Sequence, residues 1–118
     1  MGRLINIVNY DGIKVRSMSR DPLAFYRKID PKIVKEYEES DRLIYSDGAL
    51  PAKIKLLIAM ALDAIYGDIP GVVALAKRAM KLGATKEEVI EALRVTYGNG
   101  GAHGLYMTAG ALNDIFQE

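Results

Sequence analysis

At 118 residues, half of them apolar, the chain has the size of one ordinary domain, and a helical fold of this length that leaves an apolar face open needs partner subunits. Sixteen basic against fifteen acidic residues leave a net charge of +1, which excludes a strong electrostatic draw towards nucleic acid or an anionic membrane. There is no cysteine, which excludes disulfides, thiolate nucleophiles, iron–sulfur clusters and cysteine–zinc sites.

Met1-Gly2-Arg3-Leu4 leads into a short apolar run broken by Asn6, Asn9 and Asp11, unlike the continuous core of a signal peptide, so a cytoplasmic protein is expected. Ile5 and Ile7, then Ile13 and Val15, alternate around Tyr10-Asp11-Gly12, where Asp-Gly suits the positive φ of a tight turn. Residues 1–20 therefore read as a small β-hairpin, with a flexible arm as the alternative, and 21–118 as a single helical domain.

Asp21-Pro22 has the form of an N-cap followed by proline, and Asp30-Pro31 repeats it. The helix after Pro31 sets Ile33, Val34, Tyr37, Asp41 and Ile44 on one face, with Lys35, Glu36, Glu38 and Glu39 opposite, and ends at Ser46-Asp47-Gly48. Pro51 opens a third helix, apolar around most of its circumference and so expected in the middle of the fold. Its run from Ile54 to Tyr66 is well short of the roughly 20 residues needed to span a membrane. Gly67 stops it, Asp68 caps a fourth helix with Pro70 in its first turn, and Val72, Leu75, Ala76, Ala79 and Met80 form the buried stripe up to Gly83. Thr85-Lys86-Glu87-Glu88 has capping-box spacing before a fifth helix whose face is Val89, Ile90, Leu93 and Tyr97. Gly98-Asn99-Gly100-Gly101 is expected to interrupt the chain before a last helix, Ala102 to Phe116, rich in small residues that allow close approach.

From Asp30 to Phe116 the order of these segments resembles the carboxymuconolactone decarboxylase and alkyl hydroperoxidase D-like superfamily. The resemblance rests on Asp47-Gly48-Ala49-Leu50, on Leu57-Ile58-Ala59-Met60-Ala61, on Gly67, on Gly83-Ala84-Thr85 with Glu87 to Leu93 behind it, and on Tyr97-Gly98. It implies an all-α bundle, here with an N-terminal hairpin, assembled as a homo-oligomer, a trimer or a hexamer. In the redox branch of the superfamily a Glu, a Cys-x-x-Cys pair and a His share one wall. Position by position these fall at Leu56, Asp68, Gly71 and Leu75, so the thiol peroxidase activity of that branch is not expected here. What the resemblance leaves is a cysteine-independent lyase or decarboxylase acting on a carboxylated lactone or keto acid. The alternative is a non-catalytic oligomeric protein that kept the scaffold and filled its site.

Asp63 lies two helical turns beyond Leu56 and shares its wall; a carboxylate on so apolar a helix is paired, exposed or functional. Asp68 is a cap or a second carboxylate of the site. His103, the only histidine, has the one side chain whose ordinary pKa suits proton transfer near neutrality, and is otherwise a surface or interface residue. Asp63, Asp68 and His103 are thus the catalytic candidates. Tyr66, Tyr97 and Asn99 are the substrate-binding candidates, with the tyrosine rings buried and their hydroxyls at a cavity mouth near the Gly67 hinge, or else simply packed in the core. The expected ligand is a small carboxylate. No cofactor is expected, nor a metal, because one histidine among scattered carboxylates gives no ligand spacing.

Overall fold

Helix boundaries follow the capping chemistry of the chain. In the computed structural model, which describes residues 7–10, 13–16 and 21–117, the helices are α1 (Ala24–Ile29), α2 (Pro31–Tyr45), α3 (Ala52–Tyr66), α4 (Ile69–Lys81), α5 (Lys86–Gly100) and α6 (His103–Phe116). The fold is all-α. Ahead of the helices, β1 (Ile7–Tyr10) and β2 (Ile13–Arg16) pair antiparallel with Ile7 opposite Arg16 and Tyr10 opposite Ile13. The Asp11-Gly12 turn lies outside the described residues, as do residues 1–6 and 17–20.

Contacts divide the chain into two units, residues 1–44 and 45–118. In the first, the Asp21 carboxylate accepts from the Leu23 N–H at 3.0 Å and starts the turn into α1. Arg27 then reaches Asp21 at 2.6 Å and Glu38 at 2.9 Å, tying α1 to α2. Asp30 receives the Ile33 N–H at 3.3 Å at the start of α2, and on that helix only Val34 is buried.

The second unit is built on α3, which packs against α4, α5 and α6, while α4 and α5 each pack on α6. Its core is Leu56, Met60 and Ala64 of α3, Val72, Ala76 and Ala79 of α4, Val89 and Leu93 of α5, and Ala111 and Ile115 of α6. The expected stripe of α5 is completed by buried Thr96 rather than by Tyr97, which is exposed. Residues 89, 93 and 96 share one face, and the Thr96 hydroxyl is satisfied by donating to the Leu93 carbonyl at 2.6 Å. The capping box forms: Glu88 N–H donates to Thr85 Oγ1 at 3.0 Å and Thr85 N–H to Glu88 Oε1 at 2.9 Å.

The glycine run differs from expectation. Gly98, Asn99 and Gly100 continue α5, and the chain breaks only at Gly101, whose φ of 81° is left-handed. Gly100 lies against α3, where a β-carbon would make ordinary contact with Ile65, 3.4 Å from its Cγ1. Gly104 makes the matching approach of α6 to α5, over Thr96.

Candidate active site at the turn between the third and fourth helices

Gly67 ends α3 in the left-handed region, with φ of 80°, a conformation that suits glycine because a β-carbon would crowd the backbone. The Asp68 N–H returns to the Asp63 carbonyl at 2.9 Å, so the two aspartates are tied through their backbones. Asp68 then caps α4: its Oδ1 accepts the Gly71 N–H at 3.0 Å, with Pro70 in the first turn. The side chains converge as well. The position a β-carbon would take on Gly71 is already occupied by Asp63 Oδ2, with Asp68 Oδ2 2.7 Å away.

His103, the first residue of α6, comes to the other end of the same turn. Its Nε2 lies 4.0 Å from the place of a Gly67 β-carbon, and Met107 Cε, one turn further along α6, lies 3.4 Å from it. The tertiary fold therefore brings Asp63, Asp68 and His103 to one short stretch of chain, Gly67 to Gly71. Asp63 is half-buried, Asp68 and His103 are exposed, and among the described residues the Asp63 carboxylate has no hydrogen-bond or ion-pair partner. Burial, and then the negative charge of Asp68, raise the Asp63 pKa above its ordinary value of 3.8.

The tyrosines stand apart from the core. Tyr66 is 82% exposed and Tyr97 54%, so neither ring is buried in the single chain, and Asn99 is exposed too. Tyr66 is the last residue of α3, where the helix has run past its packing partners, and Tyr97 falls one position off the buried stripe of α5. A cavity lies at the end of α3 away from the Gly67 hinge. It is an open volume of about 620 Å³ lined by Tyr45, Ser46, Asp47, Pro51, Ala52, Lys53 and Leu82. Its polar groups are engaged: Asp47 Oδ1 accepts the Ala52 N–H at 2.7 Å, and Lys53 pairs with Glu88 at 3.2 Å.

Of the four positions of the redox wall, the first and last belong to the core. Leu56 is fully buried and Leu75 packs against the cluster around it. The middle two are the capping Asp68 and the side-chain-free Gly71. Gly71 is the residue that sequence reasoning noted only as a lost cysteine. The signal for its role was available in the Asp-x-x-Gly spacing that opens α4, but the carboxylate that fills its place comes from another helix. Among the described residues no group of three or more histidine, aspartate or glutamate side chains converges as a metal site. No helix there is long and apolar enough to cross a membrane.

The sequence profile of the carboxymuconolactone decarboxylase family matches residues 31–103. Among solved structures, the apo form of a carboxymuconolactone decarboxylase family protein from Legionella pneumophila is similar. It shares 33% identity over 79% of this chain and 83% of that one, with a TM-score of 0.74. No curated protein matches significantly. With the whole of α2 to α5 inside the family profile and the same helical order in a protein a third identical, the chain belongs to the carboxymuconolactone decarboxylase family.

Proposed function

We propose that the chain is a cysteine-independent lyase that decarboxylates a small carboxylated lactone or keto acid at the α3–α4 turn. The observation that carries this reading is Asp63, a half-buried carboxylate with no partner among the described residues, its pKa raised, with the Asp68 carboxylate beside it and His103 at the other end of the same turn. In such a substrate the carboxylate carbon leaves as carbon dioxide and its bonding pair moves into the neighbouring carbonyl system as an enolate. A proton must then be delivered to carbon. Asp63 is suited to deliver it, because burial and Asp68 both favour its proton-bearing form, and it regains the proton from water. His103 is suited to hold the substrate carboxylate at the start of α6. Proton delivery thus falls to Asp63 rather than to His103, the residue whose ordinary pKa suits it near neutrality. Tyr66, Tyr97 and Asn99 remain candidates for hydrogen bonds to substrate. The protein works in the cytoplasm as a homo-oligomer, a trimer or hexamer in keeping with the family resemblance.

The test is carbon dioxide release from a panel of carboxylated lactones and keto acids. Turnover by the native protein, with a loss of about 100-fold or more in kcat for Asp63→Asn, is the expected result. Absence of turnover across the panel, or an Asp63→Asn protein as fast as the native one, overturns the reading. One observation favours the second reading, a non-catalytic oligomer: Leu56 and Leu75 fill the wall that a polar substrate of the redox branch would need.

A further inference from the structure

We propose that Gly71 is a positioning residue: the side chain it lacks is what allows the Asp63 and Asp68 carboxylates to meet over the first turn of α4. The use made of the pair rests on the lyase reading above, but the positioning does not. Gly71 is not needed for its backbone angles, since the left-handed glycines among the described residues are Gly67, Gly83 and Gly101. In a helix, glycine is less favourable than alanine, a cost that space explains here. A β-carbon on Gly71 would clash with Asp63 Oδ2 and lie 2.7 Å from Asp68 Oδ2 and 2.9 Å from Asp68 Cγ.

Of the two carboxylates, Asp68 is the one whose side chain is held in place. Asp68 is held by the cap it makes to the Gly71 N–H at 3.0 Å, and its own N–H is bonded to the Asp63 carbonyl at 2.9 Å. The groups around Asp63 are few. From the α4 side Asp68 is the charge that bears on it, α6 brings His103 to the turn, and α5 presents Gly100 to Ile65 nearby.

A consequence is that the second place of the family's dithiol spacing is not vacant. Asp63 reaches into it, so a cysteine side chain restored at 71 meets a carboxylate that must turn away or be shortened.

A double-mutant cycle tests this on the intact protein. Gly71→Ala is expected to lower Tm by on the order of 5 °C in the native background. In the Asp63→Ala background the same change should cost much less, or stabilise through the better helix propensity of alanine. An equal effect in both backgrounds overturns the proposal. The second readout is the titration of the Asp63 carboxyl followed by carbon-13 NMR: Gly71→Ala should move its midpoint down towards the ordinary carboxylate range, and an unmoved midpoint overturns positioning. Should Gly71→Ala not fold, the Asp63→Ala/Gly71→Ala protein decides, since its folding shows that Asp63 was the obstacle and its failure to fold shows that it was not. None of these readouts uses turnover, so a failure of the lyase reading remains distinct from a failure of this one.

Discussion

Asp63 and Leu56 show how differently two positions on one helical wall can end. Leu56 is buried in the core, so Leu56→Glu, the residue type of the redox branch, places an unpaired carboxylate among Met60, Val72 and Val89 and should unfold the protein or leave it molten, as near-ultraviolet circular dichroism will show. Asp63 is half-buried and already carries that cost in part. Its folded-state pKa is raised, so between its ordinary 3.8 and the raised value the native state holds more protons than the unfolded chain, and stability falls as pH rises through that window. Asp63→Asn should therefore raise Tm at pH 7, with the gain shrinking as pH falls from the raised value to 3.8 and absent below it. A gain that is constant with pH would contradict the assignment of the shift to burial and Asp68. That Asp63 occupies a special place was legible from its two-turn distance to Leu56 on an apolar helix. That it fills the side-chain space of Gly71 was not, because the two residues lie on different helices and their meeting depends on the turn angle.

The helices themselves were legible because their ends are written in short-range chemistry. Asp68 with Pro70, Thr85 with Glu88, and Gly67 and Gly83 with positive φ all stand where local rules place them. Thr85→Ala removes one half of the capping box and should cost about 1 kcal/mol, read by urea denaturation. Glu88, the other half, has its pKa lowered first by the Thr85 N–H and then by Lys53. Its contribution is present above its ordinary 4.5 and is lost as pH falls through the lowered value, so the penalty of Glu88→Gln seen at neutral pH should vanish in acid. The end of α5 was misread because a glycine cluster is a breaker by propensity alone, whereas the helix runs on to Gly100, which lies against Ile65 of α3. Gly104 repeats the lesson. A β-carbon there would lie 2.6 Å from Thr96 Oγ1, so Gly104→Ala should separate α5 from α6 at a cost of about 1–3 kcal/mol, measured by the same denaturation.

At the scale of the molecule, α3 is central yet not covered. Ile58, Leu62 and Ile65 are 47%, 51% and 38% exposed at three-to-four spacing, a stripe that points outward while Leu56, Leu57, Met60 and Ala64 point in. If this stripe is covered by a second copy, Leu62→Glu should leave the fold intact by circular dichroism and reduce the mass seen by light scattering to that of the 13.0 kDa monomer. A native protein already monomeric at micromolar concentration would count against the homo-oligomer. By itself, the amino-acid sequence determined the helical class, most helix boundaries, the family resemblance and the absence of thiol chemistry, because periodicity, capping and the lack of cysteine act over a few residues or need no geometry at all. Only the tertiary structure decided that Asp63, Asp68 and His103 come to one turn, that Tyr66 and Tyr97 lie outside the core, and that Gly71 is filled from α3. Those outcomes depend on how helices cross, which is set by the sum of many side-chain contacts and not by the local pattern of any one segment.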